Sequence, residues 1–239
     1  MTSEAGALLF VYRGCTFTVA DGVQPPKAGS MLFCRHLPVH AGDRMLEIGT
    51  GTGLAAVLAA RAGARVVATD VLEAAVRCAR ANAVVNGVAD RVEVLRGDGF
   101  EPVAGRRFDL ICTSPPQMPT PADRERADAA AAADNGGRNG WALLDRVIAG
   151  AGAHLAPGGR LVFTIFAFLG VKAALAKLHH AGLEPSILGQ ETQAFPRIGY
   201  ERLEHIRALD EEATLPRSGW PTTVERYVIQ GTRTEDGSR

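Results

Sequence analysis

The segment Met45-Leu46-Glu47-Ile48-Gly49-Thr50-Gly51-Thr52-Gly53 constrains this chain more than any other: an apolar run breaks into alternating glycines and then into the helical stretch Leu54 to Arg61. It predicts strand, tight turn and helix, the arrangement in which backbone N–H groups and a helix N-terminus face a ligand. Gly49, Gly51 and Gly53 lack a Cβ, so the backbone there can bend sharply and approach a ligand closely. About 20 residues on, a second apolar run, Ala64 to Thr69, ends in Asp70, where a nucleotide-type ligand needs a carboxylate for its ribose hydroxyls. Together they call for an adenosine-containing ligand. The dinucleotide fingerprint G-x-G-x-x-G would place its third glycine at Leu54, which disfavours a nicotinamide oxidoreductase.

Downstream the pattern keeps alternating. Strands are predicted over 44–48, 65–69, 91–97, 107–113 and 160–168, and helices over 53–62, 72–86, 140–155 and 170–181. Continuous apolar strands between helices imply a parallel sheet covered on both faces. Leu183 to Ala194 and Val224 to Thr232 read as two further strands, joined by a long segment with a helix near Tyr200 to Leu209. Ahead of this core, residues 7–20 read as two short strands around Gly14, Asp21 to Gly29 as a Pro/Gly loop, and Ser30 to His40 as a helix capped by Ser30. The expected organisation is a preface or lid over 1–40 and one main domain over 41–239, with an insertion near 196–222 that reaches over the site. The low-complexity stretch Ala127 to Ala133 reads as the start of a mobile or helical loop.

Charge narrows the partners. The 239 residues carry 26 Lys plus Arg against 26 Asp plus Glu and no long run of one sign, which argues against unaided nucleic-acid binding. Cys15, Cys34, Cys78 and Cys112 are scattered without a C-x-x-C pair, so buried thiols in a reducing compartment are expected, and no metal. Glu4 near the start, the absence of a basic leader and the lack of any membrane-length apolar run predict a cytoplasmic protein with no membrane association. His179-His180 reads as a solvated helix end, and His36, His40, His154 and His205 lack ligand spacing.

Four further features carry chemistry. Glu47 ends the first core strand, where it would orient the glycine loop or meet a ligand's ammonium group. Val71 follows Asp70 into the same edge, and Gly97-Asp98-Gly99-Phe100 puts a carboxylate at the carboxyl edge of the sheet, with Asp98 expected to accept from an adenine amino group and Phe100 to pack on its ring. Phe108 to Thr113 then runs into Ser114-Pro115-Pro116-Gln117. Two prolines fix the backbone and remove N–H donors, leaving carbonyls that accept from an N–H or NH₂ group and orient its nitrogen.

The glycine pattern after Glu47 resembles motif I of the class I methyltransferases that bind S-adenosylmethionine (SAM). The whole series resembles the HemK-like glutamine N5-methyltransferases and their small-domain relatives, among them ribosomal RNA guanine N2-methyltransferases. It includes Gly22-Val23-x-x-Pro26, Ala81-Asn82-Ala83, Asn86-Gly87 and Asp134-Asn135-Gly136-Gly137-Arg138-Asn139-Gly140-Trp141, and covers roughly residues 20 to 170. The resemblance implies a Rossmann-like α/β fold with a seven-stranded, mostly parallel sheet whose last strand is antiparallel, and SAM as cofactor with S-adenosylhomocysteine as product. It also gives Ser114 and Pro115 the roles of the family's Asn-Pro-Pro-Tyr corner, which holds the acceptor amide. This chain departs from that corner. Ser114 offers a hydroxyl for a carboxamide, and Gln117 replaces the aromatic on which a nucleobase would stack.

The leading expectation is therefore SAM-dependent N-methylation of an amide or amine in a small molecule or peptide, by a monomer or homodimer. Arg138, Arg197, Tyr200 and Trp220, with Gln117, are the candidates for contacting that acceptor. The alternatives are an RNA base methyltransferase and a SAM-binding regulator without turnover.

Overall fold

The computed structural model describes residues 8–124 and 134–234; the expected loop at Ala127 to Ala133 lies outside them. An antiparallel hairpin, β1 (Leu8–Tyr12) and β2 (Cys15–Val19), comes first. Helix α1 spans Ala28–His36 rather than 30–40. Ser30 is not its N-cap but sits at the third helical position, where its hydroxyl accepts the Lys27 N–H at 3.3 Å. At the other end Pro38 forces Leu37 out of helical geometry.

The core follows as β3 (Arg44–Ile48), α2 (Leu54–Arg61), β4 (Arg65–Asp70), α3 (Glu73–Val85), β5 (Val92–Arg96), β6 (Phe108–Thr113), α4 (Ala142–His154), β7 (Leu155–Phe166), α5 (Val171–His180), β8 (Leu183–Ala194), two short helices, α6 (Arg197–Tyr200) and α7 (Leu203–Leu209), and β9 (Thr223–Arg233). Where one helix near 200–209 was expected there are two, parted at Glu201-Arg202. Strand β7 begins before the expected residue 160: a register shift between Phe108 and Leu110 lets Pro157-Gly158-Gly159, loop-forming residues elsewhere, ride within the pairing.

The seven strands lie in the order β5-β4-β3-β6-β7-β9-β8, with β9 antiparallel to both neighbours. After β3 the chain adds β4 and β5 on one side, then crosses to β6 on the other. The carboxyl ends of β3 and β6 therefore flank the topological switch point, where open α/β sheets bind ligands. Alternate strand residues feed two apolar layers: Leu46, Ile48, Ile111, Phe163 and Ile165 pack on one face, and Met45, Leu110, Cys112 and Val162 on the other.

The preface is built into this domain. Phe17, Leu32 and Phe33 are buried in the second layer, and β2 is held by Asn82 of α3 and by Asn86 just past its end. Asn82 accepts the Thr18 N–H at 2.9 Å and donates to the Thr18 carbonyl at 2.9 Å and to the Thr52 carbonyl at 2.8 Å. Asn86 does the same for Thr16, at 2.9 and 2.7 Å.

Candidate functional site

A cavity of about 1140 Å³ opens at the switch point, lined from α1, the β3 and β4 ends, the 97–99 turn, the corner after β6, α4, the end of β8 and Arg226 of β9. A pocket for one small molecule measures about 300–1,000 Å³, so this one has room for a cofactor and part of an acceptor.

The glycine turn is held from below and open above. Gly49 and Thr50 donate to the Thr69 carbonyl at 2.9 and 3.1 Å, tying the end of β3 to the end of β4. Gly49, Gly51 and Gly53 all have positive φ, but for different uses. A Cβ at Gly53 would meet Ala79 of α3 at 3.0 Å, so this glycine serves helix packing; at Gly49 and Gly51 nothing lies within 4 Å, leaving the loop clear for a ligand. Glu47, 5% exposed, is the strut of the turn: one oxygen accepts the Thr50 hydroxyl at 2.7 Å and the Ala56 N–H of α2 at 3.1 Å. Burial pushes its carboxyl up to about 7, and the two hydrogen bonds pull the other way. Asp70 accepts Gly51 N–H and Leu72 N–H, each at 3.0 Å; burial raises its carboxyl too. Each of its oxygens keeps a lone pair for a ribose hydroxyl. Val71 and Gly99 also line the cavity.

Asp98 stands at the cavity edge as expected, with a partner the sequence did not give, while Phe100 is placed otherwise than expected. Each Asp98 oxygen accepts from Arg146 of α4, at 2.6 and 2.7 Å, and this pairing lowers the carboxyl. The two side chains face the cavity as one neutral unit. Phe100 lies off the cavity wall: its ring stacks on His154, with centroids 4.4 Å apart and planes 3° apart, in the space that Gly150 leaves open. The apolar base of α4 offers it a better surface than an open cleft.

On the far side, Ser114, Pro115, Pro116 and Gln117 all line the cavity. Thr164 of β7 is their anchor. Its hydroxyl lies 3.2 Å from Ser114 Oγ and accepts from Arg226 at 3.1 Å, while its carbonyl accepts from Gln117 Nε2. Gln117 is 2% exposed and its Oε1 has no partner.

Of the remaining acceptor candidates only Arg197 reaches the cavity, with Ile198 and Glu201 beside it. Tyr200 instead donates to the Pro221 carbonyl at 2.9 Å and packs edge-on between Phe195 and Trp220. Trp220 is 70% exposed and off the cavity wall, its ring packed against Tyr200. Arg138 is exposed and off the cavity wall, and its carbonyl accepts from His205 Nε2 at 2.7 Å. The 196–222 segment is pinned by Leu203 and Ile206 in the core and by buried Arg202, which donates to Thr120 Oγ1 at 2.6 Å.

Comparison with known proteins agrees with this architecture. Residues 23–132 match the methyltransferase small domain family. A protein assigned as an N5-glutamine methyltransferase in Methanocaldococcus jannaschii is 33% identical over 84% of this chain and 98% of its own length. The chain is a HemK-like class I methyltransferase. A release factor glutamine methyltransferase of Gloeobacter violaceus is 37% identical over 56% of the chain, and a ribosomal protein uL3 glutamine methyltransferase of Bradyrhizobium diazoefficiens 36% over 52%. The chain spans about half the length of these last two relatives, 49% and 41%. Among solved structures, a 16S rRNA N2 methyltransferase of T. thermophilus in complex with AdoMet and guanosine superposes with a TM-score of 0.61 at 18% identity, over 95% of this chain and 50% of that one. At that identity the likeness is one of fold.

Within this HemK-like methyltransferase the sequence reading did not single out Arg146 and Arg226 of the cavity wall, nor Thr164, which is buried behind it. For Arg226 a signal existed. On β9 it alternates with buried Val224 and Val228, so a charged residue stands at an inward-facing position of a strand. Arg146 carried none, since a charge on a helix is ordinarily solvated.

Proposed function

We propose that this chain transfers the SAM methyl group to the side-chain amide nitrogen of a glutamine in a peptide or protein. The observation that carries the reading is the pairing, across one cavity, of an open glycine turn backed by Asp70 with the Ser114-Pro115-Pro116 corner. Relatives named as glutamine methyltransferases support the choice of acceptor.

The residues fit the cofactor. The clear space at Gly49 and Gly51 admits its amino-acid portion, and Asp70 is the carboxylate for its ribose. Leu143 and the neutral Asp98–Arg146 unit form the wall beyond. When bound, SAM supplies a sulfonium methyl for in-line displacement. The corner's part is alignment: Ser114 and Pro115 take the acceptor's N–H groups and point its nitrogen across the cavity, and Thr164 fixes the Ser114 hydroxyl for that task. The rigid Pro115-Pro116 backbone keeps this geometry without reorganisation when charge develops on nitrogen.

The test is to incubate the protein with methyl-labelled SAM and a cell extract resolved into protein, small-molecule and RNA fractions. Label should enter protein, and enzymatic digestion with mass spectrometry should place it on a glutamine side chain. Label confined to RNA, or none incorporated at all, would overturn the proposal.

A further inference from the structure

The acceptor half of the cavity contains a positive charge that, among the described residues, no carboxylate balances. Arg226 lies on β9, beyond β7 and β6 from the glycine turn, and at about 4.8 Å per strand its backbone is some 14 Å from β3. That distance assigns it to the acceptor end. Its guanidinium stands over the Phe166 ring, 4.3 Å from the centroid, and donates one hydrogen bond, to Thr164 Oγ1. Nε has no partner, and among the described residues no carboxylate lies within ion-pair distance. Its register partner on β8, Glu191, is paired with Arg35, and Glu225 accepts from Thr192. Burial alone lowers the guanidinium to about 10, with no neighbouring acid to offset it.

The space for this charge is built. A Cβ at Gly29 of α1 would fall 2.1 Å from an Arg226 nitrogen, so only glycine lets the guanidinium sit there. A buried charge without a counter-ion is costly, and chains keep one where a ligand completes it. Beside it, Gln117 Oε1 lacks a donor, and both side chains are fixed to the same residue, Thr164.

We infer that Arg226 is the receptor for a carboxylate on the acceptor, held within one residue of the amide that receives the methyl group, with Gln117 Oε1 taking an adjacent N–H. Guanidinium and carboxylate match in shape and charge, and the Phe166 ring beneath the guanidinium accepts none of its N–H groups in a hydrogen bond. The carboxylate has two sources, the α-carboxylate of a C-terminal glutamine or the side chain of a neighbouring Asp or Glu. This inference rests on the proposed glutamine acceptor.

The experiment compares four short peptides with the wild-type enzyme: one ending in glutamine with a free carboxylate, its C-terminal amide, an internal Gln-Asp peptide amide, and its Gln-Asn counterpart. Truncating one partner of a desolvated charge pair costs enough to lower kcat/KM about 100-fold. The free-acid or the Gln-Asp peptide should therefore exceed its neutral counterpart by that factor, and which of the two does so identifies the source. Arg226→Gln should erase the preference, Arg226→Lys should restore part of it, and S-adenosylhomocysteine affinity should be unchanged in both. Arg226→Met should also raise the Tm, because it removes an unbalanced charge. Equal use of charged and neutral peptides by the wild type, or a preference that survives in Arg226→Gln, would overturn the inference. Methylation of no glutamine peptide or protein would instead overturn the parent reading.

Discussion

Glu47 shows how one side chain serves the site at a cost to the fold. It closes the glycine turn through Thr50 and Ala56, but it is buried, and its carboxyl is raised from 4.5 to about 7. Between those values the folded state holds a proton that the unfolded state has lost, so this group's contribution to stability falls as pH rises from about 4.5 to 7. Glu47→Gln retains an oxygen for both donors and has no proton to lose. Denaturant unfolding of the ligand-free proteins should show the wild type losing about 2–3 kcal/mol relative to the variant across that window. A pH-independent difference would mean that the carboxyl titrates alike in both states. Sequence position put Glu47, Asp70 and Ser114 at the strand ends that meet around one cavity, but did not tell where Phe100 or Arg138 would point. Orientation depends on competing surfaces, the His154 ring for Phe100 and open solvent for Arg138, that belong to distant parts of the chain.

Elements are joined here by side chains that imitate backbone. Asn82 of α3 and Asn86, which follows its last residue, present carboxamides to β2 as a neighbouring strand would present peptide groups, and Asn82 also reaches Thr52 in the glycine turn. Preface and glycine turn thus share one buried amide. Asn82→Leu would strand the Thr18 N–H, the Thr18 carbonyl and the Thr52 carbonyl, and should cost about 2–4 kcal/mol in chemical denaturation. Asn86→Ala, closer to solvent, should cost about 1 kcal/mol. Only the first should weaken S-adenosylhomocysteine binding in calorimetry, because only Asn82 touches the turn. Most of these elements were readable from apolar periodicity: β8 runs over the expected Leu183 to Ala194, and β3 over the expected 44–48. Periodicity failed where backbone chemistry is ambiguous. Pro157-Gly158-Gly159 reads as a loop but is carried in β7 by the irregular pairing, and Ser30 reads as a cap but bonds back from within α1.

At the scale of the molecule the cavity is a property of the whole fold, since its wall draws on residues from Gly22 to Arg226. The half proposed for the cofactor was the more legible because its parts are local, a glycine turn and an aspartate on consecutive strands that the fold brings to one cavity. The acceptor half was not, because Ser114, Thr164 and Arg226 meet only after β6, β7 and β9 take adjacent places in the sheet. A ligand that bridges such a wall binds the folded state alone and raises its stability by linkage. At 100 times its dissociation constant, S-adenosylhomocysteine should add about 2.7 kcal/mol. For a chain of this size that is a rise in Tm of about 5–10 °C, measurable by scanning calorimetry. Asp70→Ala removes the ribose carboxylate and leaves the Gly51 and Leu72 N–H groups unpaired, so the shift at the same ligand concentration should shrink to about a degree or less. Arg226→Gln, on the acceptor side, should keep the full shift. Equal shifts in wild type and Asp70→Ala would place the cofactor elsewhere in the cavity, and a lost shift in Arg226→Gln would move that arginine from the acceptor half to the cofactor half.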